Sequence, residues 1–171
     1  TTQKQIWEAI YELRVRGAPA IGIAAAYSIY LAAKQTSAKN YEEFYTQFSK
    51  AQIYLSSSRP TAVNLDWALN RMNACVLANK RRPIHEIIEF LKNETDEIKA
   101  EDIRVCKSIG EFGLSLIKPN DGILTHCNAG QLATAKYGTA TAPIYLGAER
   151  GYNLKVFADE TRPLLQGARL T

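Results

Sequence analysis

The sequence offers little from which to build a covalent or metal-bound framework. Its three cysteines, Cys75, Cys106 and Cys127, form no C-x-x-C pair and leave an odd number. That argues against a disulfide scaffold or a zinc site and for reduced thiols, the usage of a cytoplasmic protein. The chain does not open on a basic segment followed by an apolar run, so no signal peptide is read. The apolar stretch from Pro19 to Ala33 is interrupted by Gly22, Tyr27, Ser28 and Tyr30. It is shorter than the roughly 20 apolar residues a membrane span needs, so it reads as a buried helix with no membrane partner. There is no repeat at a fixed period, no low-complexity tract, and no Walker-type or dinucleotide glycine motif. A basic stripe is lacking too. The net charge of +4 is scattered, and the one dense cluster, Lys80-Arg81-Arg82, sits where cations suit a helix C-terminus. Nucleic-acid binding is therefore not expected.

What is present divides into two patterns. The first two-thirds reads as helices. Residues Thr2 to Val15 place Ile6, Ile10 and Leu13 on one face. Gly17 stops that helix, and Pro19 suits the first turn of the next, which is apolar nearly all round and belongs at a bundle centre. Asn40 caps a third helix from Tyr41 towards Leu55, and the Ser56–Thr61 loop feeds a fourth from Ala62 to Asn79. From Pro83 to Ile117 the helical pattern outruns a typical globular helix, so a break near Asn93–Glu94 is expected. The pattern then changes. Lys118-Pro119-Asn120-Asp121-Gly122 is a turn signal, Ile123 to Cys127 reads as a strand, and an alanine-rich helix should run from Gly130 to about Arg150. A second strand, Leu154 to Ala158, a loop from Asp159 to Pro163 and the start of another helix complete a parallel βαβ unit. The fold class is therefore α/β. Residues 1–117 form a helical N-terminal domain, and residues 118–171 hold the beginning of a parallel-sheet domain that looks cut off inside a helix.

Three arginines each sit beside a proline ahead of an expected helix start: Arg16-Gly17-Ala18-Pro19, Arg59-Pro60 and Arg162-Pro163. Helix N-termini present free N–H groups and partial positive charge, and arginine adds a planar donor fork suited to phosphate. A phosphorylated metabolite is the ligand class this pattern favours. Cys127 falls at the carboxyl end of the first strand, the edge where parallel sheets bind ligands. Strand alternation turns His126 away from Cys127 and sets Thr125 on the cysteine's side, so an adjacent Cys–His dyad is set aside. Asp159 and Glu160 end the second strand on opposite sides, and either can meet a ligand or an arginine. Cys75 and Cys106, mid-helix, read as core.

Four segments together resemble one family: Arg16 to Gly22, Ser58 to Leu65, Thr125 to Gly130 and Glu160 to Gly167. Their order and content are similar to the methylthioribose-1-phosphate isomerase family, which shares a superfamily with the regulatory subunits of the initiation factor 2B exchange complex. The resemblance runs from about Ile6 to Thr171. It implies a helical domain followed by a Rossmann-like α/β domain, with the active site in the cleft between them and a homodimer in the full-length enzyme. By carry-over, Arg16, Gly17, Ala18 and Arg59 would hold the substrate, chiefly its phosphate. Gln166 would contact the sugar, and Cys127 would be the catalytic cysteine. The family's proton-donating aspartate and an Asn-Lys pair would lie beyond Thr171, so the chain alone is expected to be inactive. No metal or cofactor is implied.

Three rival readings accompany this one. Ribose-1,5-bisphosphate isomerase shares the arginine and cysteine segments, but Ala129-Gly130 and Gly138-Thr139-Ala140 fit the methylthioribose enzyme better. A regulatory module of the initiation-factor type would bind sugar phosphate or nucleotide without turnover, and the presence of Cys127 speaks against it. A structural scaffold is the third.

Overall fold

The computed structural model describes residues 1–171. Two compact units divide the chain, Thr1–Lys99 and Ala100–Thr171. The first is wholly helical: α1 (Gln3–Tyr11), α2 (Ala18–Lys34), α3 (Tyr41–Ser56), α4 (Val63–Ala78) and the first half of α5 (Ile84–Leu114). Local chemistry explains their starts. At α1 a capping box forms, with Thr2 and Gln5 bonded reciprocally. Asn40 Oδ1 accepts the Glu43 N–H at 2.9 Å to start α3, while Glu42 and Glu43 occupy its first turn. Gly17 precedes α2, whose first turn holds Pro19. These helices enclose one continuous apolar core in which Ile10, Ile29, Phe44, Leu55, Leu65, Leu69, Met72 and Leu91 are fully or almost fully buried.

The anticipated break near Asn93–Glu94 does not occur: α5 runs unbroken for 31 residues. Ile87, Leu91, Thr95 and Ile98 are all buried, so one continuous helix face crosses the supposed break. The Thr95 hydroxyl donates to the Leu91 carbonyl at 2.8 Å, and Glu94 pairs with Arg71. Core contact outweighed length as a guide. The helical pattern gives way to the strand pattern between Leu114 and Gly122, while the compact units part earlier, inside α5. Residues 100–114 of that helix carry Cys106 and Leu114 into a second, smaller core with Tyr137, Ala142 and Leu146.

The second unit contains β1 (Gly122–Thr125), α6 (Ala142–Glu149), β2 (Lys155–Ala158) and α7 (Gln166–Leu170). The strands pair in parallel, with Ile123 opposite Val156 and Thr125 opposite Ala158. The expected parallel βαβ order is present, as a two-stranded sheet. The alanine-rich helix is much shorter than its composition suggests. Only a single 3-10 turn at Gln131–Ala133 precedes α6, and a loop fills the rest. Within it Tyr137 and Gly138 take left-handed backbone angles, and the Thr134 and Thr141 hydroxyls bond to main chain. Threonine hydroxyls compete with helical hydrogen bonding, which alanine count does not register. Leu124, Val156 and Phe157 are exposed on the sheet. No helix is long and apolar enough to cross a membrane.

Candidate functional site

In the first unit, residues distant in sequence converge on one concavity. Arg16, Ala18, Ile21, Arg59, Thr61, Ala62, Val63 and Asn64 line a hollow of about 280 Å³. Two helices begin at it, and neither α2 nor α4 is capped by a side chain. The N–H groups of Ala18, Ala20, Val63 and Asn64 therefore have no side-chain cap and both helix dipoles place partial positive charge there, although Pro19 has no N–H and Leu65 donates to the Ala62 carbonyl at 2.9 Å. Arg59 Nη1 donates to the Arg16 carbonyl oxygen at 3.3 Å, tying the Ser58–Thr61 loop to the turn before α2. Gly22 permits this geometry, since a Cβ there would lie 3.0 Å from the Asn64 carbonyl oxygen. The hollow combines two guanidinium side chains with two helix starts, a composition suited to an oxyanion. Of the residues the sequence pointed to for phosphate, Arg16, Ala18 and Arg59 line this hollow, and Gly17 is the residue that precedes α2. The Arg59-Pro60 pattern also placed a helix start here, as α4 shows, whereas Asn64 was not anticipated as a lining residue.

Arg162 does not repeat the pattern. It belongs to the second unit, where an exposed turn separates it from the start of α7 at Gln166. Gln166, half-buried, opens that five-residue helix.

Cys127 lies beyond the end of β1, not within it, and its φ is 63°. Strand alternation therefore stops at Thr125 and does not govern which way Cys127 faces, a correction to the sequence-based expectation. Left-handed backbone is uncommon for a residue with a Cβ and marks functional or strained positions. The half-buried cysteine has neighbours with unusual hydrogen bonding. Thr125 Oγ1 and Asn128 Oδ1 are buried without a partner. His126 Nδ1 lies 3.0 Å from Asp159 Oδ2, so the Asp159 carboxylate meets a histidine and not an arginine. The Cys127 N–H donates to Thr161 Oγ1 at 3.1 Å, and its carbonyl accepts from Thr171 Oγ1 at 2.5 Å. Neither threonine stood out in the sequence, because each is 34 or more residues from the cysteine it holds. Burial raises the thiol pKa of both other cysteines, Cys75 and Cys106, so neither is primed as a thiolate.

The Initiation factor 2 subunit family matches residues 14–171. This chain belongs to that family. Within it, a protein from Symbiobacterium thermophilum named methylthioribose-1-phosphate isomerase is 64% identical over all 171 residues, which span 48% of its length. One from Petrotoga mobilis named 5-deoxyribose 1-phosphate isomerase is 56% identical over 98% of this chain and 48% of its own. The solved structure of 5-methylthioribose 1-phosphate isomerase from Pyrococcus horikoshii superposes with a TM-score of 0.93 at 42% identity, over 99% of this chain and 47% of that one. A structure from A. fulgidus named translation initiation factor eIF-2B, subunit delta, gives 0.90 at 38% identity, over 99% and 49%. The chain thus spans about half the length of the curated family members it matches.

Proposed function

We propose that this chain carries the phosphate-binding and cysteine-bearing part of an aldose–ketose isomerase that converts 5-methylthioribose 1-phosphate to 5-methylthioribulose 1-phosphate in methionine salvage. One observation carries this reading: Arg16 and Arg59 line the same hollow at the uncapped starts of α2 and α4. In this reading Arg16, Gly17, Ala18 and Arg59 hold the 1-phosphate, Gln166 contacts the sugar, and Cys127 stands at the reacting carbons. The small-molecule substrate is the partner, and the full-length protein acts as a cytoplasmic homodimer.

The chemistry sets the demands. Phosphate on the anomeric carbon prevents ordinary hemiacetal opening. The C1–O4 bond must break as hydrogen moves from C2 to C1. The C2 hydroxyl then loses its proton to become the carbonyl, and O4 gains one. Hydrogen can travel as a hydride or, through an enediol-type intermediate, as a proton. Both routes require fixed geometry and exclusion of water. A proton route would use Cys127 as a thiolate base, whereas a hydride route would keep it neutral beside the oxocarbenium-like carbon.

A second substrate, 5-deoxyribose 1-phosphate, has support from the Petrotoga mobilis relative. It shares the 1-phosphate and carries an apolar C5. Turnover of both compounds and of ribose 1,5-bisphosphate by the full-length protein separates the readings. The expected ranking puts methylthioribose 1-phosphate first. Cys127→Ala should lower kcat by at least about 100-fold with unchanged thermal stability. A kcat near wild type would remove Cys127 from the mechanism, and absence of turnover on every sugar phosphate would favour a regulatory binding module.

A further inference from the structure

We infer that Thr161 and Thr171 are positioning residues: their two hydroxyl groups clamp the Cys127 peptide in its left-handed conformation and so set where its thiol is presented. The role rests on the isomerase reading above, in which Cys127 serves the reacting carbons.

The clamp is closed on both sides. The Cys127 N–H donates to Thr161 Oγ1 at 3.1 Å, and that hydroxyl donates onward to the Asp159 carbonyl at 3.2 Å. On the other side, the Ala129 N–H donates to Thr171 Oγ1 at 3.3 Å, and this hydroxyl donates to the Cys127 carbonyl at 2.5 Å. Each hydroxyl thus accepts one N–H and donates to one carbonyl, which uses its single proton and one lone pair. Left-handed backbone at Cys127 is disfavoured by the contact of its Cβ with neighbouring main chain, so something must hold it. No regular secondary structure does, because β1 has ended and the next helical turn begins at Gln131.

The segment supplying both hydroxyls is itself built to reach the cysteine. Thr161 and Leu165 also have positive φ, at 59° and 54°. Gly167 lets α7 press against the end of β2, because a Cβ there would overlap the Asp159 carbonyl oxygen. At the other end of α7, a Cβ on Gly130 would lie only 3.3 Å from Thr171 Cα, so the two backbones are in close contact. The arrangement joins left-handed backbone at Cys127 and Thr161 through hydroxyls brought from 34 and 44 residues away. It fixes one peptide unit. Valine removes the hydroxyl at nearly constant shape, whereas serine keeps it.

The test compares Thr161→Val, Thr161→Ser, Thr171→Val and Thr171→Ser in the full-length protein. Two readouts are used: steady-state kinetics with methylthioribose 1-phosphate, and the iodoacetamide alkylation rate of Cys127 by peptide mass spectrometry, with Cys75 as internal reference. Each valine variant should lose about tenfold or more in kcat with KM nearly unchanged, since a stranded peptide group costs on the order of one decade in rate. Its Cys127 alkylation rate relative to Cys75 should shift by at least about threefold. Each serine variant should match wild type in both. Valine variants that match wild type in kcat and alkylation overturn the inference. So do serine variants as impaired as valine, and the serine arm decides if a valine variant does not fold. If the wild-type protein turns over no sugar phosphate, the isomerase reading falls and the alkylation rates alone decide the clamp.

Discussion

The two compact units hold their candidate site residues in place in different ways. In residues 1–99 the geometry comes from packing. A continuous core of large side chains fixes five helical segments, and the hollow lined by Arg16 and Arg59 is a by-product of where α2 and α4 begin. In residues 100–171 the core is small and the sheet exposes Leu124, Val156 and Phe157. Five of the six non-glycine residues with positive φ fall there, namely Asn120, Cys127, Tyr137, Thr161 and Leu165. Position in the second unit is therefore set by loops and discrete hydrogen bonds. Packing tolerates little change of volume, whereas hydrogen-bonded loops tolerate volume change but not loss of a donor or acceptor.

The largest effect should come from breaching the first core. Leu69→Ala, at a side chain only 1% exposed, is expected to cost about 2–5 kcal/mol in denaturant unfolding. Phe157→Ala, at 60% exposure in the second unit, should stay within about 0.5 kcal/mol. Equal losses at the two sites would erase the contrast between the units.

A smaller effect separates their ligand chemistry. Arg59→Ala should weaken binding of inorganic phosphate to this chain by about 10–100-fold, the worth of a charge-assisted hydrogen bond, in isothermal titration calorimetry. Cys127→Ala should leave that affinity unchanged, because the hollow is lined wholly by residues of the first unit. Identical phosphate affinities in wild type and Arg59→Ala would move the anion site elsewhere.

The smallest effect is electrostatic. A hydrogen bond from the Lys92 ammonium, followed by one from the Tyr27 hydroxyl, holds the Asp96 carboxyl below its usual range. A carboxylate with a depressed folded-state pKa contributes stability above its unfolded value, about pH 4, and loses that contribution as pH falls through the folded pKa. The pair is exposed, so the contribution is slight. Asp96→Asn should flatten the acid limb of the stability curve and leave neutral pH nearly unaltered. A steeper acid limb in the variant would reverse the assigned sign.

Local signals carried much of the fold. The Asn40 cap, Pro19 in the first turn of α2 and the Pro119–Gly122 turn each act within a few residues and lie where the sequence places them. Helical spacing, by contrast, overran α1, which ends at Tyr11 and leaves Leu13 exposed with a left-handed backbone. The arginine, cysteine and glutamine segments were also legible as motifs. Their mutual geometry was not. That Arg59 reaches the Arg16 carbonyl across 43 residues, or that α5 continues through Asn93–Glu94 because Leu91, Thr95 and Ile98 share a buried face, depends on which helices pack together. Cys127 shows the division most sharply. The sequence put it at the carboxyl end of a strand, which is a matter of short-range pattern. Its left-handed backbone and its two threonine partners arise from a chain that returns 34 and 44 residues later, because a peptide group released from the strand must find donors and acceptors wherever the fold brings them.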